Sequence, residues 1–163
     1  LTLSLPTDGT LHVADVRTIS RAQAAGIFIR HYFEAPRIAS LPDCLQATVF
    51  DMYVNAGSNA VRVLQRLLRE MEFAVAVDGA IGPQTAGAAM EAAEVGEAAL
   101  RDAYGVARRN YYFRLADRRP ASRKYARTRS GGKGGWIKRA EEFISPEYHL
   151  SRQAFQERTS AWG

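Results

Sequence analysis

The sequence predicts a mainly α-helical fold. Apolar residues recur every three or four positions over several long segments, as they do on the buried face of a helix. Only residues 73–77 alternate loosely, between larger apolar residues and alanine, so no segment strongly predicts a β-strand. The chain of 163 residues is long enough to bury a substantial core. We therefore expect about six to seven helices, separated by turns that contain glycine or proline.

The chain opens with a segment that shows no helical or strand period. Residues 1–17 contain proline and glycine without repeated apolar spacing, so we expect an irregular arm. Ser20 and Gln23 have the spacing of a capping box, which predicts that the first helix begins there. That helix should end before Pro36, because a residue that precedes proline is disfavoured in the helical conformation.

Two apolar helices follow, separated by a polar break at residues 57–59. The first begins after Pro42 and carries apolar residues at helical spacing: Leu45, Val49, Met52 and Tyr53. The break supplies a glycine, which frees the backbone, and a serine and an asparagine, which can cap the next helix. The second helix carries a wider apolar stripe: Val61, Leu64, Leu67, Leu68 and Met71.

The longest predicted helix lies in the second half of the chain. Asp78 and Gly79 indicate a turn, and Pro83 suits the first turn of the helix that follows. Between Gly96 and Asp117 apolar positions then recur every three or four residues: Leu100, Tyr104, Ala107, Tyr111 and Leu115.

After this helix the composition changes. Residues 121–135 are rich in glycine and in basic residues, which predicts a mobile, basic Gly-rich loop. Shorter helices are expected at residues 136–143 and 146–158.

Positive charge is concentrated in one segment. Residues 108–139 contain 12 Lys or Arg and one acidic residue, whereas residues 1–100 contain 7 basic and 11 acidic residues. A basic segment of this kind attracts polyanions such as nucleic acid, anionic lipid, or the carboxylates and phosphates of a cell wall. A solvated helix face followed by a flexible loop would have the same composition, and both alternatives remain open.

Other classes of protein and site are disfavoured by what the sequence lacks. No apolar run approaches the roughly 20 residues that cross a bilayer, and residues 1–5 are too short for a secretory signal. The single cysteine, Cys44, cannot form a disulfide within the chain, and the three histidines are scattered. We therefore expect no metal site and no organic cofactor.

The first polar motif lies on the apolar helix that begins after Pro42. Asp51 and Asn55 are about one helical turn apart, so both side chains lie on the same face. Because polar groups are costly to bury without partners, the two residues either line a cleft or fix a contact between helices. In a cleft they would bind the hydroxyl and amide groups of a saccharide.

The second polar motif spans a helix and the turn after it. Gln65 lies among leucines and can satisfy backbone groups of a loop from inside the core. Asp78 can accept N–H groups within its own turn, and Thr85 can hydrogen-bond back to that turn. Gly79 and Gly82 permit positive φ. A structural role is therefore favoured over direct contact with a ligand.

Taken in order, these segments resemble the N-acetylmuramidases of glycoside hydrolase family 108. The similarity is carried by Phe50-Asp51-x-x-Val54-Asn55-x-Gly57, Leu64-Gln65-x-x-Leu68 and Asp78-Gly79-x-Ile81-Gly82-Pro83-x-Thr85. Further landmarks are His31-Tyr32-Phe33-Glu34, Leu41-Pro42 and Gly135-Trp136-Ile137-x-Arg139, with Phe33 in place of the usual tryptophan.

The resemblance implies a lysozyme-like helical fold that binds peptidoglycan. Residues 1–45 would be the remainder of an amino-terminal muramidase part, residues 46–144 a peptidoglycan-binding helical part, and residues 145–163 a carboxy-terminal helix or tail. The implied substrate-binding residues are Asp51, Tyr53, Asn55 and Trp136. The structural turn that supports them would comprise Gln65, Asp78, Gly79, Gly82 and Thr85. For Trp136 a core position is the alternative, since a tryptophan at the start of an amphipathic helix is often buried.

The resemblance also implies a catalytic glutamate that this chain does not show. In the family the acid lies in a Glu-Gly-Gly-Tyr segment near the start of the domain, and no such segment occurs here. Glu34 is the acid nearest to the family landmarks, but the motif around it does not match, so we expect a solvated helix-end residue. The chain is therefore expected to be a truncated form or a non-catalytic relative, with no catalytic residue of its own.

Three functions follow as hypotheses. The leading one is a peptidoglycan hydrolase, similar to phage endolysins, whose intact form cleaves the β-1,4 bond between N-acetylmuramic acid and N-acetylglucosamine. The first alternative is a non-catalytic peptidoglycan-binding or secretion-accessory protein. A nucleic-acid-binding protein that uses residues 108–139 with Tyr111, Tyr112 and Tyr125 is less favoured, since no known reading motif is present. The leading hypothesis places the protein in the periplasm or cell wall, exported by a holin-like or other route without a signal peptide.

Overall fold

The computed structural model describes residues 19–163, and within this range the fold is mainly α-helical, as predicted. Eight α-helices and no β-strand occur in these residues. In chain order the helices are α1 Arg21–Ile29, α2 Asp43–Ala56, α3 Asn59–Glu70, α4 Pro83–Val95, α5 Glu97–Arg118, α6 Arg123–Ala126, α7 Gly135–Glu141 and α8 Arg152–Thr159. They are supplemented by a π-helical turn, Arg30–Glu34, and by the 3₁₀ turns Ile38–Ser40, Pro120–Ser122, Pro146–Tyr148 and Ser160–Trp162. The arm expected at residues 1–17 lies outside the described residues.

Local signals explain where the first helices begin and end. The Ser20 hydroxyl accepts the Gln23 N–H at 3.2 Å, and the Gln23 side chain accepts the Ser20 N–H at 2.9 Å, so the predicted capping box is confirmed. The helical run that starts there ends before Pro36, as expected for a residue that precedes proline. Gly57, with a φ of 57°, ends α2 and provides the predicted break before α3.

Helix α5 is the centre of the packing and contacts α2, α3, α4, α6 and α7. Its Tyr104 is fully buried, and the Tyr104 hydroxyl donates to the carbonyl oxygen of Ala60 on α3 at 3.1 Å. Burial raises the pKa of Tyr104, so this hydroxyl remains a proton donor. Gly105 lets the chain after α7 approach closely, because a Cβ at this position would lie 2.5 Å from Ile144 Cγ1.

The basic Gly-rich loop expected at residues 121–135 has more regular structure than its composition predicts. Helix α6 occupies its first part, and Arg127 then pairs with Lys133 in an antiparallel bridge. Inside the turn, the Thr128 N–H donates to the Gly132 carbonyl at 2.8 Å, and the Gly132 N–H donates to Thr128 Oγ1 at 2.9 Å. The loop lies where it was expected, and hydrogen bonds close it into a turn. Its Gly131 has a φ of 82°, which the turn requires.

The carboxy-terminal residues pack onto the same core. Ser151 caps α8 by accepting the Ala154 N–H at 3.1 Å. The rings of Phe155 and Trp162 each lie 6.1 Å, centroid to centroid, from the ring of Phe113 on α5. Instead of one helix over residues 146–158, the chain forms a short 3₁₀ turn followed by α8. No helix in the described part of the chain is both long enough and apolar enough to cross a membrane.

Candidate functional site

Helices α2, α5 and α7 enclose a cavity of about 250 Å³. Its walls come from segments that are far apart in the sequence. The lining residues are Asp51, Val54 and Asn55 from α2, Arg108 and Tyr112 from α5, and Trp136 and Arg139 from α7. Three of the four predicted substrate-binding residues therefore lie at one cavity. The fourth, Tyr53, is half-buried, packs against the core and does not line this cavity.

Asp51 connects the three helices. Its Oδ2 accepts a hydrogen bond from the Arg108 guanidinium at 2.5 Å, and its Oδ1 accepts one from Arg139. The Arg108 side chain is almost completely buried, whereas that of Arg139 is 58% exposed. A buried guanidinium needs a charged partner, so Asp51 compensates for the charge of Arg108 inside the fold. Both alternatives for this motif are met at once: Asp51 fixes helix contacts and also lines the cavity.

Arg108 has donor capacity that the protein leaves unused. Its Nη1 lies 3.5 Å from the Thr48 carbonyl, and its guanidinium carbon lies 5.8 and 5.7 Å from the ring centroids of Tyr112 and Phe143. Among the described residues, however, the Arg108 Nε and the nearby Thr48 Oγ1 are buried without a hydrogen-bond partner. Buried polar atoms of this kind are uncommon, and here one belongs to a residue that lines the cavity.

Asn55 presents a free acceptor at the mouth of the same cavity. Its Nδ2 donates to the hydroxyl of the buried Tyr112 at 3.0 Å, which fixes the orientation of the amide. Its Oδ1 has no partner among residues 19–163, and the side chain is exposed. An amide oxygen held in this way can accept a hydrogen bond from a hydroxyl or an N–H group of a ligand.

Trp136 forms the aromatic wall. Its ring stacks on Tyr112 with centroids 4.8 Å apart and an interplanar angle of 19°, and Tyr125 lies 5.0 Å away at 35°. Two neighbouring rings thus cover much of the indole faces. Trp136 is half-buried and packs against the core, and it also borders the cavity.

The residues of the second polar motif form hydrogen bonds with one another, and none of them lines the cavity. The buried Gln65 amide nitrogen lies within hydrogen-bond distance of Asp78 Oδ1, the Ala80 carbonyl and Thr85 Oγ1, at 2.8, 3.0 and 3.2 Å. Its Oε1 accepts the Gly79 N–H at 2.8 Å. The structure therefore brings these residues together as one hydrogen-bonded corner, named the Gln65 corner below.

Only one of the two glycines in this corner has positive φ. Gly79 has a φ of 85°. Gly82 has a φ of −93° and a ψ of 178°, and it is the residue before Pro83 at the start of α4. The expectation of a turn glycine thus applies to Gly79, while Gly82 adopts extended backbone that any residue can take.

Several carboxyl groups have pKa values below their usual range. The pKa of Asp78 is lowered by the Ala80 N–H and the Gln65 amide. Burial raises the pKa of Glu141, but hydrogen bonds from Lys133 and the Leu150 N–H outweigh it and hold the pKa low. These shifts are opposite to the raised pKa of a glycosidase general acid. Glu34 is exposed at the end of the π-helical turn.

Sequence reasoning placed Arg108, Tyr112 and Arg139 in the basic segment but missed their contacts with the first polar motif. One signal was present. Arg108 and Tyr112 are four residues apart on α5, as Asp51 and Asn55 are on α2, and the structure joins the two pairs residue by residue. Within residues 19–163, no group of three or more His, Cys, Asp or Glu side chains is placed to hold a metal ion.

Two family models match the chain. The model described as "Predicted Peptidoglycan domain" matches residues 59–141, and the model "Glycosyl hydrolase 108" matches residues 4–57. No curated protein and no solved structure matches the chain. The two matched ranges meet at the break between α2 and α3, so the cavity is lined by residues of both. These matches confirm the resemblance drawn from the motifs and indicate a peptidoglycan-related function at the cell wall. Because the first model covers more than half of its length, the chain belongs to the predicted peptidoglycan domain family, and the segment ahead of that domain is similar to glycosyl hydrolase 108.

Proposed function

We propose that this chain provides the glycan-binding part of an N-acetylmuramidase, which cleaves the β-1,4 bond between N-acetylmuramic acid and N-acetylglucosamine in peptidoglycan. The cavity between α2, α5 and α7 carries the proposal, because residues of both matched families line it together. A cavity of about 250 Å³ is smaller than the pockets of about 300–1,000 Å³ that enclose drug-sized ligands, so it suits one sugar residue or its acetamido group.

In this proposal each lining residue has a separate task. Asn55 accepts a hydrogen bond from a sugar hydroxyl or acetamido N–H through its free Oδ1. Arg139, whose side chain is 58% exposed, donates to sugar oxygens or to the lactyl carboxylate, while Asp51 holds its guanidinium in place. Trp136 offers its edge to the apolar face of a ring, since Tyr112 and Tyr125 pack on it.

Hydrolysis itself is not assigned to a residue of the described part of the chain. Asp51 is engaged by two guanidinium groups, and Glu142, the other acid near the cavity, lies 3.5 Å from Arg139. These contacts favour the second candidate function, a peptidoglycan-binding protein that does not hydrolyse the wall. A suspension of purified peptidoglycan distinguishes the two: its turbidity falls only if the protein cleaves the glycan.

The binding proposal is tested with Asn55→Ala and a matched control, Asn110→Ala, which makes the same change at an exposed position on α5. Loss of the Asn55 hydrogen bonds, about 1 kcal/mol, should weaken the pull-down of insoluble peptidoglycan about fivefold. The melting temperature of Asn110→Ala should stay within about 2 °C of the wild type, whereas that of Asn55→Ala should fall by about 2–4 °C, because the buried Tyr112 hydroxyl loses its partner. Binding is therefore measured at a temperature where both variants are folded. Unchanged binding by Asn55→Ala, or an equal loss in the control, would refute the proposal.

A further inference from the structure

A second region of the chain has the features of an anion-binding surface. The basic turn, defined here as residues 123–133, follows two arginines, and residues 118–133 contain seven Lys or Arg and no acid. The turn has a depression on each side, with volumes of about 390 and 450 Å³. The first is bordered by residues 123–129 and Trp162, and the second by residues 130–133 together with α7 and α8.

Four cations border the first depression: Arg123, Lys124, Arg127 and Arg129. None of them forms an ion pair with an acidic side chain of residues 19–163. The acidic residue nearest in sequence, Asp117, is already bound to Arg158 and to the Trp162 Nε1–H. Four positive charges around one depression, none of them in a direct ion pair with an acidic side chain of residues 19–163, produce a positive potential there.

Two of these guanidinium groups are held in place by neutral acceptors. Arg123 donates to the carbonyl oxygens of Trp162 at 3.1 Å and Ala116 at 3.4 Å, and its guanidinium lies 5.8 Å from the centroid of the Trp162 ring. Arg127 donates to the carbonyl oxygens of Thr159 and Gly163, both at 3.3 Å. Carbonyl oxygens orient a guanidinium without cancelling its charge, so these side chains are prepared for an anion.

The second depression continues the positive surface across the turn. Lys138 and Arg152 are exposed at its rim, while Lys133 is bound to Glu141 at 2.5 Å and contributes little net charge. The two depressions adjoin along the chain, because Arg129 borders the first and the next residue, Ser130, borders the second. An elongated anion with repeated charges can therefore contact both, whereas a single carboxylate would satisfy only one arginine.

The geometry points to a binding site for a linear phosphodiester polymer of the cell wall, laid across the basic turn. Phosphate oxygens suit the planar donor fork of arginine, and repeated phosphates match cations spread over two depressions. Nucleic acid is disfavoured because, of the three tyrosines that would stack on its bases, Tyr112 is buried and Tyr111 is half-buried, which leaves only Tyr125 exposed. This site is separate from the cavity and does not depend on the proposed function.

The test uses linear inorganic polyphosphate as the probe and the full chain as the protein. Lys124→Gln with Arg129→Gln removes two exposed cations that make no hydrogen bond to another described residue. The matched control, Arg66→Gln with Arg114→Gln, removes the same charge from exposed positions outside the turn. The first pair should weaken polyphosphate binding at least about tenfold, and it should flatten the dependence of log affinity on log salt by about 1 to 2. The control pair should change the affinity less than about twofold.

Retention on cell walls and competition between polyanions then identify the source of the phosphate. Cell walls that carry phosphodiester polymers should retain the wild-type protein, walls stripped of phosphate should retain less, and the difference should vanish in the Lys124/Arg129 variant. An equal loss in the control pair would show general charge attraction and overturn the inference. So would stronger competition by duplex DNA or by anionic lipid vesicles than by polyphosphate at equal phosphate concentration. Binding of phosphate-free peptidoglycan through the cavity should be unaffected, so the two proposals can fail separately.

Discussion

The Gln65 corner and the cavity beside Asp51 are both polar clusters in an apolar helical core, but they differ in how many of their polar atoms have hydrogen-bond partners. In the corner, both polar atoms of the Gln65 side chain are used by neighbours within the segment. In the cavity, the Arg108 Nε is buried without a partner among the described residues, and the Asn55 Oδ1 faces solvent. A cluster that satisfies itself supports the fold, whereas one that leaves an exposed acceptor such as Asn55 Oδ1 open beside a cavity can bind a ligand.

The two regions also differ in how charge is held. The corner contains one exposed carboxylate, Asp78, whose partners there are the neutral Gln65 amide and the backbone of Ala80. The cavity depends on a buried guanidinium, Arg108, and the carboxylate of Asp51. Removing one member of a buried ion pair is expensive because the other charge is left uncompensated. We therefore expect a substitution at the buried ion pair of the cavity to lower stability more than a substitution in the corner.

The largest expected effect is that of Arg108→Met. The methionine fills much of the space but leaves Asp51 with Arg139 alone, so the free energy of unfolding should fall by about 3 kcal/mol. Arg139→Gln is the matched control: it removes the other guanidinium from the same carboxylate, and because that side chain is largely exposed the loss should stay below about 1 kcal/mol. Urea unfolding measures both values. Equal losses in the two variants would show that burial of Arg108 does not determine the stability of the pair.

The next effect is that of Gln65→Leu. Leucine keeps the apolar packing but leaves the Gly79 N–H, which Gln65 binds, without its acceptor, so unfolding should become easier by about 2 kcal/mol. Gln84→Leu on α4 is the control, because Gln84 is exposed and should change stability by less than about 0.5 kcal/mol. At a temperature where both variants are fully folded, peptidoglycan pull-down should equal that of the wild type. Loss of binding by a folded Gln65→Leu protein would mean that the corner contacts the ligand.

The distance between partners along the chain explains which features were predictable. The capping box, the break at Gly57 and the proline at the start of α4 depend on residues within about one helical turn, and all three were found from the sequence. The corner joins Gln65 to residues 13 to 20 positions away, which the sequence pattern had placed in one motif.

The residues that meet at the cavity are much farther apart in the sequence. Asp51 meets Arg108 and Arg139 at separations of 57 and 88 residues, so their pairing depends on how α2, α5 and α7 pack. The hydrogen bonds within the basic turn were missed for a different reason. Glycine-rich composition predicts flexibility, but it does not reveal the hydrogen bonds by which Thr128 closes the turn.

As pH falls, the contacts that Glu141 makes on α7, beside the cavity, should be lost before those that Asp78 makes in the corner. Glu141 binds Arg109 and Lys133 and so anchors α7, which carries Trp136 and Arg139. Its pKa lies below the ordinary 4.5, because hydrogen bonds and cations outweigh the effect of burial. The unfolded chain then binds the proton more tightly, so this stabilisation is complete above pH 4.5 and is lost as pH falls towards the lowered pKa.

For one such group the slope of stability against pH is at most about 1.4 kcal/mol per pH unit. Urea unfolding between pH 7 and pH 3 should show a decline that begins near the ordinary pKa of glutamate. Glu141→Gln should flatten the upper part of this decline. Asp78→Asn, in the corner, should flatten only the part below 3.8, the ordinary value from which its pKa is lowered. Identical pH profiles for wild type and Glu141→Gln would show that the anchor of α7 does not titrate in this range.

The smallest effect separates the two glycines of the corner. Gly79 has a φ of 85°, and an added Cβ would lie 2.8 Å from the guanidinium carbon of Arg62, whose flexible end can move aside. Gly79→Ala should therefore destabilise the protein by about 1 kcal/mol, mainly through backbone strain. Gly82 has extended backbone, and a Cβ there would meet no atom within 4 Å. Gly82→Ala should leave stability unchanged or raise it by up to about 0.5 kcal/mol, because alanine restricts the unfolded chain. Thermal unfolding of the two variants measures the difference, and a loss at Gly82 as large as that at Gly79 would mean that the start of α4 requires glycine for a reason other than φ.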